Sequence, residues 1–196
     1  MIAEIDILAS SARRRVRKAI SRQKAARRRT DWRVHLAAAL LSVTAGSHAW
    51  AGEVMTFDSA GAAPGTIIVH TEERRLYLVV SRGVAVRYAV GVGRAGRQWQ
   101  GTSTISGKYL KPNWEPPSDV RRDSPQLPEI IPSGSPQNPM GAAAMTIAGG
   151  LYAIHGTNKP ESIGKFVSYG CIRMFNEDIL DVFSRVNVGT TVIVVP

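Results

Sequence analysis

An imidazole and a thiol stand 16 residues apart near the C-terminal end of this 196-residue sequence: His155 in the run YAIHGTN and Cys171 in the run SYGCIRM. Cys171 is the only cysteine, so it cannot close a disulfide within the chain. A thiolate attacks carbonyl carbon well, but a free thiol, with a pKa of about 8.5, is mostly protonated near neutrality. An imidazole beside it takes the thiol proton and later returns it to a leaving group. Gly156 permits a close turn after the histidine, and its carbonyl is placed to fix the ring tautomer. Gly170 removes a side chain next to the sulfur, where backbone N–H groups can face an oxyanion. Taken alone, the pair also fits a buried cysteine and a satisfied strand histidine. A metal site is weakly supported, because one Cys and one His give two ligands where zinc takes three or four from the protein. No cofactor is expected. The remaining histidines, His35, His48 and His70, lack this glycine-flanked setting.

The elements that must hold the pair are mostly strands. TIIVHT (66–71) and RLYLVV (75–80) are β-rich runs joined by the short connection Glu72-Glu73-Arg74. VAVRYAVGVG (84–93), the Thr-rich GTSTISGKYLK (101–111), AAMTIAG (142–148) and LYAIHG (151–156) continue the pattern. NEDILDVFSRV (176–186) reads as a helix: Asn176 is a cap candidate, acids occupy the first turn, and Ile179, Leu180, Val182, Phe183 and Val186 form an apolar face. TTVIVVP (190–196) is a continuous apolar run that fits a buried final strand. Residues 112–139 are proline-rich and fit no regular element; a loop of that length is expected to be either a substrate-side loop or a disordered surface segment. The fold class is therefore mainly β, with one clear helix before the C-terminal strand.

The charge of +10 is unevenly placed. Residues 1–51 hold 11 Lys and Arg against 3 Asp and Glu, whereas the rest hold 14 against 12. Basicity belongs to the N-terminal arm, which argues against a nucleic-acid partner. RRRVRK (13–18) and RQKAARRR (22–29) precede an apolar run, VHLAAALLSVTAG (34–46), too short for a membrane span of roughly 20 residues. The following Ala49-Trp50-Ala51 fits a small-x-small cleavage site. A basic flank, a short apolar run and a small-residue exit make residues 1–51 a basic arm plus secretory signal peptide. That places the protein in the periplasm or cell envelope, with no stable transmembrane span after cleavage. Residues 52–65, small and polar, read as a linker, leaving 66–196 as the catalytic domain.

The surrounding residues carry a resemblance. IHGTN (154–158), SIG (162–164) and SYGCIRMFN (168–176) resemble the signature of the L,D-transpeptidase catalytic domain (the YkuD family). WEPP (114–117), LPEIIPSG (127–134) and NPMG (138–141) are similar to further segments of that family. The resemblance spans nearly all of the expected mature chain. It implies a β-sandwich-like domain, with Cys171 as nucleophile, His155 as proton acceptor and donor, and the Gly156 carbonyl as its third partner. It implies that Ser168 and Gly170 frame the nucleophile and that Arg173 is a carboxylate or structural anchor. Many members have histidine before the glycine, where this chain has Tyr169, so a role of that histidine in substrate or oxyanion binding is altered here.

The implied partners are peptidoglycan stem peptides, with an amine acceptor on another stem or on an outer-membrane lipoprotein or wall protein. Water as acceptor would make the same site a hydrolase, an L,D-carboxypeptidase or an amidase cutting peptidoglycan–protein links. A non-catalytic wall-binding module would not need both Cys171 and His155.

Overall fold

The computed structural model describes residues 52–150 and 152–196; the basic arm and the expected signal segment lie outside the described residues. Alternating and continuous apolar runs become strands in the order β1 (Glu53–Thr56), β2 (Ile67–His70), β3 (Arg75–Ser81), β4 (Val84–Ala89), β5 (Val92–Gly93) and β6 (Gly101–Leu110). A short helix α1 (Ser118–Asp123) follows, then β7 (Ala143–Ile147) and β8 (Ala153–His155). A single 3₁₀ turn (Pro160–Ser162), β9 (Phe166–Ser168), β10 (Ile172–Arg173), the long helix α2 (Asn176–Arg185) and β11 (Thr191–Val195) complete the chain. The class is mainly β with one long helix before the last strand, as expected.

Nine strands hydrogen-bond in the order β1-β4-β3-β2-β11-β6-β7-β8-β10, and β5 pairs separately with β9. The strand β6 carries both halves of the sheet: Gly101–Thr104 pairs with β11, and Ile105–Leu110 pairs with β7 after a register shift between Ile105 and Gly107. Such a shift bends and twists a strand. A side chain at Gly107 would stand 2.6 Å from the Tyr109 hydroxyl. The two halves share one core. Ile67, Leu76, Leu78 and Tyr88 come from the first half, Met145, Ile147, Ile154 and Ile172 from the second, and Ile179 and Val182 from α2.

The strands β2 and β3 are apolar on both faces because both are covered. Ile67, Val69, Leu76 and Leu78 face the main core. Ile68, Tyr77 and Val79 face a smaller cluster closed by Met55, Phe57 and Ala62. The segment expected to be a linker thus contains β1, paired antiparallel with β4, and supplies a cover for the outer face. Phe57 stacks on Tyr77 with ring centroids 4.2 Å apart.

The helix α2 differs from expectation at its start. Phe175 is the N-cap, and no side chain caps the helix; the Asn176 side chain is used elsewhere, as described below. The other end is held from the sheet. The Lys108 Nζ of β6 donates to the carbonyls of Phe183 (2.7 Å) and Val186 (2.5 Å). Those carbonyls are orphaned by helix termination and carry the negative end of the helix dipole, so an ammonium satisfies both demands. The Tyr88 hydroxyl adds a bond of 2.6 Å to Asp181 on the same helix. Replacing Lys108 with Met keeps the stem and removes both bonds. It should lower unfolding free energy by about 1–2 kcal/mol in urea titrations; an unchanged midpoint and slope would show the ammonium to be idle.

Candidate active site

The site begins with two short strands. β8 and β10 lie parallel, with Ile154 opposite Ile172 and His155 opposite Arg173. Successive side chains of a strand point to opposite faces. Ile154, Ile172 and Met174 take the inner face, with at most 1% of their surface exposed. His155, Arg173 and the preceding Cys171 take the other. All three line one cleft of ≈ 360 Å³, together with Trp114, Asp119, Met140, Tyr152 and Tyr169.

The turn that delivers the thiol is locked from three directions. Ser168 Oγ donates to the Cys171 carbonyl at 2.6 Å and accepts the Gly170 N–H at 3.0 Å. Gly170 has φ 124°, in the region that favours glycine. A Cβ there would meet the Tyr152 ring at 2.2 Å. Trp99 stacks on that ring at 5.5 Å and donates its indole N–H to the Gly170 carbonyl at 3.1 Å. The Gly170 N–H, expected as an oxyanion donor, is therefore already bonded to Ser168.

His155 is buried, and its Nδ1 lies 2.6 Å from the Gly156 carbonyl. A carbonyl only accepts, so Nδ1 carries the proton and Nε2 is left with its lone pair. What holds that carbonyl in place is Asn176. Its Oδ1 accepts from the Ala142 N–H (3.0 Å) and the Thr157 N–H (3.1 Å), and its Nδ2 donates to the Thr157 carbonyl (3.1 Å). The fit is tight: a Cβ on Gly156 or Gly141 would lie 2.4 or 2.2 Å from Asn176 Oδ1. Sequence reasoning assigned Asn176 to helix capping. The signal available was its place at the end of SYGCIRMFN, beside the site motif.

The electrostatics are set by burial. Desolvation, then the Arg173 charge, push His155 down from 6.5 to about 4, against the pull of the Gly156 and Pro139 carbonyls. Desolvation pushes the Cys171 thiol up, opposed by the Ala153 backbone N–H and by Arg173. Near neutrality the pair is therefore a thiol and a neutral imidazole, not a thiolate and an imidazolium. Burial also lowers Arg173, with Cys171 and Glu161 pulling it back. Its main chain is anchored by two bonds to Gly91 (2.9 and 2.8 Å). Among the described residues, Arg173 Nε is the buried side-chain nitrogen left without a partner.

The proline-rich segment forms the facing wall. Prolines offer carbonyls but no N–H, and one buried amide serves several of them: Asn138 Nδ2 donates to Pro112 (2.9 Å), Pro132 (3.2 Å) and Ile131 (3.3 Å). Trp114 and Ile131 exchange backbone bonds of 2.9 and 2.8 Å. The segment is thus an ordered loop containing α1, which had no counterpart in the sequence reading. Tyr169, on the thiol's own turn, reaches this facing wall with its hydroxyl, which donates to Asp123 of α1. Among the described residues no group of His, Cys, Asp and Glu is placed to hold a metal ion, and no helix is long and apolar enough to cross a membrane.

Comparison with known proteins identifies the family. Residues 64–194 match the family model of the L,D-transpeptidase catalytic domain (YkuD). The chain is 42% identical over 135 residues to the probable L,D-transpeptidase ErfK/SrfK of Escherichia coli (strain K12), covering 64% of this chain and 42% of that protein. It is 38% identical over 135 residues to the probable L,D-transpeptidase YbiS of the same strain, covering 64% and 43%. The chain thus spans less than half the length of these relatives. Among solved structures, the fold is similar to the Ldtfm–avibactam carbamoyl enzyme (TM-score 0.54, 20% identity, covering 69% of this chain and 50% of that one). It is also similar to an L,D-transpeptidase from Mycobacterium smegmatis (TM-score 0.53, 19% identity, covering 69% and 60%).

The neutral state of the pair is directly measurable. His155 should take up its proton only as pH falls through about 4, so it is a free base from pH 5 upward, with Cys171 still protonated at neutrality. Imidazole shifts in a heteronuclear NMR titration report the first, and thiolate absorbance reports the second. A histidine midpoint near the ordinary 6.5, or a thiolate already present at pH 6, would contradict the burial argument.

Proposed function

The chain belongs to the L,D-transpeptidase catalytic domain (YkuD) family, and on that premise we propose that it is an exported cysteine acyltransferase acting on peptidoglycan stem peptides. The observation that carries the proposal is the shared cleft wall: Cys171, His155 and Arg173 side by side, with the imidazole tautomer fixed by Gly156. As sulfur attacks the stem-peptide carbonyl, the thiol proton passes to His155 Nε2. The C–N bond to the terminal amino acid then breaks, and the imidazolium gives its proton to the departing amine. A thioester remains. An acceptor amine attacks it, loses a proton to His155, and the sulfur leaves and recovers that proton as a thiol. The product is a peptidoglycan cross-link or a wall protein joined to the stem. The basic arm and apolar run of residues 1–51 support action in the periplasm or envelope.

Arg173 has a clear part in this scheme. A stem peptide presents carboxylates beside the scissile bond, and a guanidinium with an unpartnered Nε–H in the cleft wall suits a bidentate carboxylate. Lysine keeps the charge but not the planar fork. Arg173→Lys should lower kcat/KM by about tenfold, while thiol alkylation and thermal stability stay at wild-type values. Unchanged kinetics would reduce Arg173 to a structural charge.

The reaction itself is tested with disaccharide-tetrapeptide as substrate and mass analysis of the products. A dimer or an exchanged terminal amino acid supports acyl transfer; a tripeptide alone identifies a hydrolase; no product at all refutes both. Cys171→Ser should reduce turnover by at least about a thousandfold, since the same base must then deprotonate a far weaker acid. Intact mass should show one carbapenem adduct on the wild type and none on the variant.

A further inference from the structure

The helix α1 lies across the cleft from the thiol with nothing in the core to hold it. None of its six residues is buried, yet Asp119 and Val120, with the preceding Pro117, line the same cleft as Cys171. Arg121 is spent inside the loop, on the carbonyls of Pro116 (2.8 Å) and Glu129 (3.2 Å). The attachments to the body of the domain are polar and converge on one residue. The Tyr169 hydroxyl donates to Asp123 Oδ2 at 2.5 Å, and the same oxygen accepts from the Arg94 guanidinium at 3.0 Å. Arg94 also stacks over the Tyr169 ring at 4.1 Å. Arg97, whose guanidinium lies 5.4 Å from that ring, pairs with Asp119 at 2.6 Å.

We propose that Tyr169 is a positioning residue that latches α1 over the cleft, and that this latch biases the acyl group on Cys171 toward an amine acceptor and away from water. The second half rests on the acyl-transfer reading above. Tyr169 is two residues from the nucleophile on a turn locked by Ser168, Trp99 and Tyr152. The latch is therefore referred to the sulfur through stiff connections. Its groups are partly exposed, and such pairs hold a segment only weakly and are screened by salt. A segment so held opens and closes. When closed it keeps bulk water from the thioester, and a bound amine competes with fewer solvent molecules. A histidine at position 169 would lack the phenol that reaches Asp123. Tyr169 is thus the residue through which the thiol's own turn joins the latch.

The experiment uses the sole thiol as its own reporter. The second-order rate of Cys171 alkylation by iodoacetamide is measured for wild type, Tyr169→Phe, Asp123→Ala and the double variant, at low salt and in 1 M (about a threefold shorter screening length than at 0.1 M) sodium chloride. Tyr169→Phe keeps the ring under Arg94, and Asp123→Ala acts from the α1 side without touching the thiol's own turn. Each single variant should raise the low-salt rate by about two- to fivefold. The double variant should do no more than the larger single. High salt should speed the wild type, and should speed Asp123→Ala and the double variant less, since these keep only the Arg97–Asp119 pair. With disaccharide-tetrapeptide, the tripeptide-to-dimer ratio should rise in both single variants. Equal alkylation rates in all four proteins overturn the latch, whatever products the wild type makes. Faster alkylation with an unchanged product ratio overturns its effect on the acceptor. Faster alkylation in a protein that makes neither product supports the latch and refutes the acyl-transfer reading instead.

Discussion

The structure depends on the register of two parallel strands, β8 and β10. With His155 opposite Arg173, the alternation of side chains sends Ile154, Ile172 and Met174 into the core and His155, Cys171 and Arg173 into the cleft. A slip of one residue would bury the charged and nucleophilic groups and expose the isoleucines. The core thus fixes the site: the same burial that drives β8 and β10 together leaves only one register in which both faces are satisfied. The connection between these strands contains the 3₁₀ turn and β9. Its path is pinned by β5, which pairs with β9, and by Gly91, which binds both backbone groups of Arg173. Gly91 has no room for a side chain, since a Cβ would stand 2.7 Å from the Ser162 carbonyl.

The electrostatic consequence follows from the same burial. An imidazole with little access to water and a cation beside it resists protonation; a thiol in the same surroundings resists ionisation. Each group alone is thereby held in the form that can exchange a proton with the other. The proton moves only when a reacting carbonyl gives the sulfur somewhere to place its electrons. A cleft arranged this way spares the thiol from adventitious reaction, which matters for the single cysteine of the chain. Arg173 has opposite effects on the two groups, discouraging the imidazolium while favouring the thiolate. A carboxylate placed on its guanidinium would weaken both effects together, so the balance between the two groups changes little.

Much of this was legible in the sequence, for physical reasons that differ by element. The strands β2, β3 and β4 announce themselves by apolar runs, and β6 by its Thr-rich run. The helix α2 is legible from its acidic first turn and its apolar face. The motif around Cys171 and His155 is specific enough to give the family directly. The segments that escaped reading are short or polar. β9 and β10 have three and two residues, too few for any periodicity. β1 has four mostly exposed residues, of which only Met55 packs on the smaller cluster, so it shows no apolar pattern. α1 carries no apolar face at all, so no pattern could reveal it. Asn176 escaped for another reason: its residue type suits a helix cap, and only the fold shows that Ala142 and Thr157 claim its amide first.

The walls of the cleft are built on opposite principles. Behind the sulfur, the turn at residues 168–171 is closed by short hydrogen bonds, an aromatic stack and a glycine with no room for a side chain, and all of these sit on the buried core. In front of it, a proline-rich loop is folded around the amide of Asn138 and touches the domain through exposed charges. Motion of the first wall would move Cys171 relative to His155 and Arg173, which line the same cleft. Motion of the second would change only what reaches the thiol from outside. Rigidity is thus concentrated in the turn that carries the thiol, and the weaker attachments lie on the side of the cleft that faces it. Substitutions in α1 or at Tyr169 therefore leave the contacts of Ser168 and Asn176 and the register of β8 and β10 in place.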